Sequence, residues 1–318
     1  MKRIFILFGI LGSIVIAIFV YINWGQKEER ISYFSNIRDV KLSISRPYYT
    51  FMTYNIQLGF NRYSDPWDKK QIGGTEDNLM HIVKAIKSVD PDVVALQEVA
   101  KDRSNTKIKT QIEFLAEKLN MNYAYGAHGE NTPGGFLSRG LWGNAILSKY
   151  KILNIQNHEI FYKDRGSRRS CLEATIQFPQ GPVTVFSTHF RFDDFKGEVR
   201  NTVDLIEKSI NPIVLMGDFN LLPADKLLIP ILEKLSDTCK KVHNENSLFV
   251  QQYGTCGNPG GKPINCPFCG KPLPFGCRID NIFISPELFE VVDVGLIPKE
   301  YWEVSDHVAY FAQLRFKK

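Results

Sequence analysis

The sequence has no internal repeat and no low-complexity tract, and its charge is not extreme. Repeat architectures and compositionally disordered chains are therefore not indicated. The net charge of +5 at pH 7 suits an anionic substrate or a membrane surface, but it falls well short of a protein that coats nucleic acid. The chain also lacks the basic stretch with interleaved aromatic residues that single-strand binding needs. With 318 residues, it is long enough for one large domain or two small ones.

Charged residues are absent from one long stretch near the N-terminus. The residues from Ile4 to Ile22 are almost all apolar, and they follow Met1-Lys2-Arg3. A helix of this length spans a hydrocarbon core of about 30 Å. A secretory signal peptide is the alternative, but the run is long for a signal core and no small-x-small cleavage site follows it. We therefore expect residues 1–24 to be an uncleaved transmembrane helix, with the N-terminus in the cytoplasm because basic residues precede the run.

The rest of the chain is expected to lie on the extracytoplasmic side, with residues 25–47 as a polar tether and residues 48–318 as one domain. Short buried strands alternate there with amphipathic helices, one of which carries an apolar face that ends at Ile210. A Gly-rich loop is expected from Gly126 to Gly140. Mixed strands and helices of this kind give an α/β or α+β layered fold.

Polar residues stand at the ends of several predicted strands. An apolar run ends in Asp218 and Asn220, which are two residues apart and so leave the same side of an extended backbone. A turn would explain this pair taken alone. Carboxylate and amide oxygens suit Mg²⁺ or Mn²⁺, and imidazoles suit proton transfer or charge stabilisation at a phosphoryl group. The whole set is Asn55, Glu98, His189, Asp218, Asn220, Asp280, Asp306 and His307.

Seven short motifs follow one another along the chain: TYNI, LQEV, GNAILSK, STHF, GDFN, RIDNIF and SDH. Together they resemble the endonuclease/exonuclease/phosphatase superfamily, the DNase I-like metal-dependent phosphoesterases, over about residues 49–314. The resemblance implies a DNase I-like two-sheet β-sandwich flanked by helices, in the α+β class, with the active site at one mouth. It also implies a hydrolase that cleaves phosphoester bonds with Mg²⁺ or Mn²⁺.

The same resemblance assigns roles around the metal and the attacking water. It makes Glu98 the principal metal ligand with Asn55 beside it, and Asp306 an aid to metal or histidine positioning. Asp218 is the expected base, and it positions the water together with Asn220. A metal and a carboxylate base of this kind suit hydrolysis by direct attack of water.

The remaining expected roles concern the phosphoryl group. By resemblance, His307 lies against the phosphate and is oriented by Asp280, while His189 hydrogen-bonds the phosphoryl oxygens. Arg168 and Arg169 precede a predicted strand and are candidate phosphate contacts, although solvated loop charges are an equal alternative.

Cysteine is sparse, and four of the six cysteines lie in one Gly/Pro-rich stretch, residues 254–277. Four sulfurs can close a structural Zn²⁺ site. Disulfides are the alternative in an extracytoplasmic domain, and free thiols are a third. The stretch leads directly into the strand of Asp280, so we expect it to border the active-site mouth and to select substrate. Its cysteines are Cys256, Cys266, Cys269 and Cys277.

The segment from Pro274 to Phe283 is also similar to the corresponding part of neutral sphingomyelinases, one branch of the superfamily. Together with the expected anchor, this similarity favours a phospholipid diester such as sphingomyelin. A DNase- or RNase-type nuclease and a phosphomonoesterase are alternatives, and a non-catalytic binding module is an alternative of another class. The intact polar set argues against the last. The expected partners are thus a phosphoester substrate, lipid or nucleic acid, and the membrane.

Overall fold

The computed structural model describes residues 32–38, 46–63, 75–101, 110–131, 141–163, 167–191, 194–242, 254–256, 264–265, 272–273 and 277–317. The expected transmembrane helix at residues 1–24 lies outside these residues, as do Cys266 and Cys269. None of the helices in the described ranges is long and apolar enough to cross a membrane.

Two large β-sheets form the centre of the molecule. In the described ranges, the first sheet contains β1 (Ser32–Ser35), β2 (Tyr49–Asn55), β3 (Val93–Ala100), β4 (Asn122–Asn131), β5 (Leu141–Ser148), β14 (Phe289–Leu296) and β15 (Tyr310–Phe316). Their order across the sheet is β1-β4-β5-β3-β2-β15-β14. The central strands β2 and β3 run parallel, and the other pairings are antiparallel.

The second sheet lies against the first. Its described strands are β6 (Lys151–Lys163), β7 (Ser167–Phe178), β8 (Gly181–His189), β9 (Ile213–Asp218), β10 (Ser236–Asp237) and β13 (Asp280–Ile284). Their order is β10-β13-β9-β8-β7-β6, with β8 parallel to β9. A separate antiparallel pair consists of β11 (Ile264–Asn265) and β12 (Pro272–Leu273).

Apolar side chains fill the space between the sheets. Phe51 of the first sheet and Val185 and Met216 of the second belong to this shared layer and are fully buried. Met52 and Tyr54, on the opposite face of β2, pack in a different layer with the helices. Alternate residues of a strand point to opposite faces, so β2 is apolar on both faces because both are covered.

Helices cover the outer face of each sheet. The helices α1 (Glu76–Lys87) and α2 (Gln111–Leu119) pack on the first sheet, and α3 (Phe195–Lys208) and α4 (Ile229–Leu232) pack on the second. A short helix, α5 (Thr238–Val242), follows β10. The three longer helices begin at residues whose side chains accept a hydrogen bond from a backbone N–H of the first turn, which favours a helix start there. These capping residues are Thr75, Thr110 and Asp194.

The α+β two-sheet sandwich flanked by helices is confirmed, and two local expectations are wrong. The loop expected from Gly126 does not begin there, because β4 continues to Asn131 alongside β5 and the sheet pairing outweighs the weak strand preference of glycine. Ile210, expected on the apolar face of α3, lies beyond the end of the helix and is 96% exposed. The following Asn211-Pro212 disfavours helical backbone at that point.

Part of the stretch expected as a polar tether, residues 25–47, is docked on the domain. Ser32–Ser35 form β1, which pairs antiparallel with β4. The side chain of Asn36 donates to the carbonyl oxygen of Ile152 and accepts from its N–H, both at 2.9 Å. These residues are therefore an edge of the first sheet. The limits of the anchor, the tether and the catalytic domain stay predictions.

Candidate active site

Strand register places three titratable side chains in one row across the second sheet. His189 of β8 lies beside Asp218 of β9, and Asp218 lies beside Asp280 of β13. Directly paired residues of neighbouring strands point to the same face of a sheet. All three side chains are buried, so an imidazole and two carboxylates converge at one end of the sandwich.

His307, which precedes β15, completes this cluster. Its Nδ1 lies 2.8 Å from Oδ2 of Asp280, and its Nε2 lies 3.6 Å from Oδ2 of Asp218. The Nε2 atom of His189 lies 3.5 Å from the same oxygen of Asp218. Asp218 therefore faces both imidazoles, and its expected role as the base stays a prediction.

Backbone packing fixes the position of Asp218. A Cβ at Gly217 would lie 2.2 Å from the carbonyl oxygen of Thr188, so the close approach of β9 to β8 requires glycine there. Asn220 adopts a left-handed conformation, with φ of 52°, and its N–H donates to Oδ1 of Asp218 at 3.0 Å. Its Nδ2 donates to the carbonyl oxygen of Phe190 at 2.8 Å. The turn after β9 thus orients the carboxylate.

Asn55, at the end of β2, connects the two sheets at the site. Its Nδ2 donates to Oε1 of Glu98 at 3.2 Å and to Oδ2 of Asp218 at 3.1 Å. Its Oδ1 accepts the N–H of Gln57 at 3.0 Å. In this arrangement the amide orients two carboxylates, and its expected role as a metal ligand stays a prediction.

Glu98 lies at an irregularity of β3, where the pairing with β5 shifts register between Leu96 and Val99. Its φ is 54°, an unfavourable conformation for a residue with a Cβ. Burial and the nearby carboxylate of Asp306 raise the pKa of Glu98 to about 7. Asp306 in turn accepts a hydrogen bond from the hydroxyl of Ser305 at 3.3 Å. The partly exposed carboxylates of Glu98 and Asp306 therefore lie near each other at the edge of the site.

The buried charges change the pKa values of the central residues. Burial raises the pKa of Asp218 to about 8, and the carboxylate of Asp280 adds to this effect while His307 opposes it. Burial would lower the pKa of His307, but Asp280 and Asp218 outweigh it and raise that pKa well above its usual value. For His189, burial and the cationic Arg169 lower the pKa well below the usual value. At neutral pH, His307 is thus a cation and His189 is neutral.

The donor set fits a divalent cation. Asp218, Asp280 and His307 each offer a ligand atom, and these atoms lie within 4.8 Å of one another. The buried Oδ1 of Asp280 has no hydrogen-bond partner in the part of the chain that the structure describes. Carboxylate oxygens are preferred by Mg²⁺ and Mn²⁺, and a cation would relieve the raised pKa of the buried acids. This compact group differs from the ligand set expected from sequence, which was Asn55, Glu98 and Asp306.

Two residues beside His189 were missed in the sequence. The ring centroids of His128 and Trp142 lie 6.2 and 5.9 Å from that of His189. The Nδ1 atom of His189 is buried, with no hydrogen-bond partner among the residues described. Alternate residues of a strand point to the same face. Asn144 faces the second sheet, where its Nδ2 donates to the carbonyl oxygen of Ser187. Trp142, two residues earlier in β5, could therefore have been expected to face the site.

The structure separates the two candidate arginines. Arg169 is 8% exposed, and its guanidinium carbon lies 4.8 Å from the ring centroid of Trp142, on the side of His189. Arg168 is more exposed, and its Nε lies 4.0 Å from the carboxylate of Glu159. Both arginines line a cavity of about 180 Å³ that His128 also lines. Arg169 is therefore the arginine that the structure places next to the site.

Two of the four cysteines in residues 254–277 are described, and they lie next to the site. The backbones of Cys256 and Cys277 pair as an antiparallel β-bridge, and the backbone of Cys256 pairs in the same way with that of His307. The stretch thus borders the catalytic cluster. Cys266 and Cys269 lie outside the described residues, so the expected structural Zn²⁺ and the expected disulfides stay predictions.

Residues 52–307 match the sequence profile described as the Endonuclease/Exonuclease/phosphatase family. The chain belongs to this family. Members of this family are hydrolases that act on phosphoester bonds. Family members are in general dependent on divalent metals, in agreement with the donor set of the cluster.

Individual relatives of this endonuclease/exonuclease/phosphatase family member are distant. The uncharacterized protein YbhP of Escherichia coli K12 is 24% identical over 184 residues, which are 53% of this chain and 65% of YbhP. The chain thus spans slightly less than two thirds of the length of that curated relative.

Solved structures share the fold. An endonuclease/exonuclease/phosphatase from Beutenbergia cavernae has a TM-score of 0.61 at 22% identity, covering 85% of this chain and 72% of that one. The human Nocturnin catalytic domain with bound sulfate has a TM-score of 0.61 at 16% identity, covering 90% and 97%. D. rerio TDP2 complexed with a single-strand DNA product has a TM-score of 0.59 at 14% identity, covering 85% and 100%.

Proposed function

We propose that this chain is a Mg²⁺-dependent phosphodiesterase that cleaves its substrate by direct attack of water. The observation that carries the proposal is the cluster in which Asp218 faces both His189 and His307, with Asp280 behind His307. The carboxylate base, the charged imidazole of His307 and the neutral imidazole of His189 are thereby held close together. That arrangement suits a phosphoryl group, on whose oxygens negative charge develops during reaction.

Asp218 is the proposed base. Its Oδ2 points into the cluster while the backbone N–H of Asn220 holds Oδ1 at 3.0 Å. A pKa of about 8 in the metal-free protein makes this carboxylate a stronger base than an ordinary aspartate, and efficient bases titrate near the working pH. Asp218 and Asn220 together position the attacking water and contact the phosphate, and Asp218 takes a proton from that water.

The two histidines have different proposed roles. His307 is charged, and its Nδ1 is held 2.8 Å from Asp280, so its Nε2, on the side of Asp218, is directed to donate to a phosphoryl oxygen. His189 is neutral and provides a second hydrogen bond through Nε2. Fixed donors of this kind need no reorganisation when charge develops, which lowers the barrier.

The proposed metal ligands are the carboxylates around Asn55, with Glu98 as the principal one and Asp306 in support. Asp218, Asp280 and His307 form a compact donor group beside them, and Asn55 donates to both Glu98 and Asp218. When bound, a divalent cation offsets the negative charge that builds up on the phosphoryl oxygens. Mg²⁺ is the first candidate and Mn²⁺ the second, because both prefer oxygen ligands.

Arg169 is the proposed contact to a substrate phosphate. Its guanidinium lies over Trp142, where stacking holds the planar group in place, and its charge lowers the pKa of His189 after the effect of burial. Arg168 faces the carboxylate of Glu159 instead.

For the substrate, we propose a phospholipid diester such as sphingomyelin. Two sequence features support this choice: the apolar run at residues 1–24, which would anchor the domain at an extracytoplasmic membrane surface, and the similarity of residues 274–283 to neutral sphingomyelinases. A nuclease is the second candidate, supported by the shared fold with the D. rerio TDP2 that was crystallised with a single-strand DNA product.

The full chain, purified in detergent, tests both candidates. We would measure hydrolysis of sphingomyelin-containing vesicles and of plasmid and single-stranded DNA, with Mg²⁺, with Mn²⁺ and with EDTA. His307→Ala is the matched inactive control in every assay. Metal-dependent hydrolysis of lipid alone supports the proposal, and hydrolysis of DNA alone replaces it with the nuclease. Equal activity of His307→Ala on either substrate would contradict the assigned chemistry.

A further inference from the structure

A short segment, residues 254–256, lies between the two parts of the chain that carry the catalytic histidine and its carboxylate. On one side, the carbonyl oxygen of Thr255 accepts the N–H of Val308 at 2.7 Å. On the other side, the hydroxyl of Thr255 accepts the N–H groups of Ile279 and Asp280, both at 3.1 Å. The segment is therefore a connector between the backbones next to His307 and Asp280.

The same segment is paired with Cys277 through the adjacent cysteine. The N–H of Cys256 donates to the carbonyl oxygen of Cys277 at 3.0 Å, and the N–H of Cys277 donates back at 3.3 Å. Residues that exchange both bonds in an antiparallel pair have Cα atoms about 5.5 Å apart and side chains on one face. A disulfide requires a Cα separation of roughly 4.4–6.8 Å. The backbone thus already has the spacing of a disulfide.

The two thiols also contact each other. The Cys256 side chain shares a hydrogen bond with the Cys277 side chain. Around them, Ile279 and Leu222 form a small apolar cluster. Cys256 is partly exposed, whereas Cys277 is 2% exposed. An oxidant from solution therefore reaches Cys256 first and finds Cys277 beside it.

We propose that Cys256 and Cys277 form a disulfide on exposure to a small-molecule disulfide oxidant, and that this cross-link clamps residues 254–256 between His307 and Asp280. The thiolate of Cys256 attacks one sulfur of the oxidant and releases one thiol. The thiolate of Cys277 then attacks the mixed disulfide at Cys256 and releases the second thiol. One S–S bond forms, the oxidant is reduced to two thiols, and the two cysteine protons pass to those thiols.

The chemical part of the proposal is tested on the full chain with oxidised glutathione. After oxidation, the remaining thiols are alkylated and the protein is digested without reduction for mass spectrometry. We expect one linked pair of peptides that contain Cys256 and Cys277. A link from either residue to Cys266 or Cys269, or alkylation of both thiols, would overturn the proposal. Stoichiometric zinc that protects the thiols from oxidation would overturn it as well.

Thermal unfolding provides a second measurement. The oxidised chain should have a Tm higher by roughly 5 °C than the reduced chain, because the cross-link restricts the unfolded state. This difference should disappear in Cys256→Ser and in Cys277→Ser. It should persist in the double variant Cys266→Ser/Cys269→Ser, which is the matched control. A difference that is unchanged in Cys256→Ser would rule out this pair as its source.

The effect on catalysis rests on the proposed function, whereas the linked peptides and the Tm do not need a substrate. If the reaction is phosphodiester hydrolysis, reduction should lower kcat severalfold in the parent chain and leave Cys256→Ser unaffected. The reason is that Thr255 holds the backbone of Asp280 less firmly once the cross-link is open. A linked chain with equal kcat in both redox states would overturn the clamp. Absence of activity in both states, with the link present, would instead count against the proposed function.

Discussion

Nδ1 of His307 lies 2.8 Å from Oδ2 of Asp280; Asp280 belongs to the second sheet, and His307 precedes β15 of the first. The other ring nitrogen of His307 lies 3.6 Å from the carboxylate of Asp218. An imidazole between two buried carboxylates keeps its proton, so the contact between the sheets determines both the charge and the direction of the donor. The chemistry of the site therefore depends on how the two sheets are packed together.

Removal of the charge on Asp280 should lower turnover without loss of the fold. In Asp280→Asn, the side chain keeps its shape, but His307 loses the carboxylate that raises its pKa. We expect kcat to fall by about 100- to 1000-fold, in the range seen when one charge-stabilising donor is removed, with little change in KM. The matched control is Glu290→Gln, an exposed carboxylate of β14. Turnover of Asp280→Asn within twofold of the parent would remove Asp280 from this role.

Metal binding should become stronger as the pH rises. The pKa values of Glu98 and Asp218 are raised to about 7 and about 8, and that of His307 is also raised, so the metal-free folded chain binds protons that the unfolded chain has released. The contribution of these three groups to the stability of the metal-free protein should thus fall as pH rises from about 4 to 8. A cation needs the deprotonated carboxylates and displaces their protons.

The increase in Tm on addition of Mg²⁺ should therefore be larger at pH 8.5 than at pH 6. Thermal unfolding with and without metal at the two pH values measures it, and Glu98→Gln is expected to weaken the response at both. Equal increases at the two pH values in the parent chain would show that these carboxyl groups do not control metal binding.

Arg169 and Arg168 should differ in their effect on substrate binding. Arg169 is buried over Trp142 beside His189, whereas Arg168 faces the carboxylate of Glu159. We expect Arg169→Ala to raise KM by about 10- to 100-fold, the value of a charge-assisted hydrogen bond. Arg168→Ala should change KM by less than about twofold, because its charge faces Glu159 and not the site. Similar values of KM for the two variants would refute the separation of their roles.

The buried ion pair between Arg278 and Asp237 should stabilise the strand that carries Asp280. Nη2 of Arg278 lies 2.7 Å from Oδ2 of Asp237, and both side chains are nearly inaccessible. Arg278→Ala leaves a buried carboxylate without its cation, which should lower the free energy of unfolding by about 3–5 kcal/mol. Arg315→Ala breaks an exposed pair with Glu290 and should cost less than about 1 kcal/mol. Urea unfolding of both variants measures the difference, and equal losses would contradict it.

Much of the fold and most site positions were predictable because they follow local patterns. Apolar residues at helical spacing indicated α1, and the apolar run before Asp218 indicated β9. Polar residues at strand ends then marked the site, since strand ends of one sheet meet at one edge. Strand register brings His189, Asp218 and Asp280 together. The motifs place these residues at strand ends but do not specify that register.

The missed features depend on contacts between distant parts of the chain. Ser32–Ser35 form a strand because the edge of β4 is available for pairing, although the segment is only four residues long. Trp142 lies beside His189 only because β5 faces the second sheet at that point. The backbone pairing of Cys256 with Cys277 follows from the position of residues 254–256 against β13. The spacing of the cysteines along the sequence does not indicate this pairing.

Glu98 should show a conflict between stability and function. Its φ of 54° is unfavourable for any residue with a Cβ, and burial with the nearby Asp306 raises the pKa of its carboxyl group. Glu98→Ala removes the carboxyl group but keeps the strained backbone, whereas Glu98→Gly removes both. In the metal-free protein, we therefore expect Glu98→Gly to be more stable than Glu98→Ala by about 1 kcal/mol, and both to have lost metal-dependent activity. Urea unfolding in EDTA, with m values compared to confirm a common unfolded state, measures the difference. If Glu98→Ala were the more stable variant, the backbone at this position would not be strained, and the bulge in β3 would have another cause.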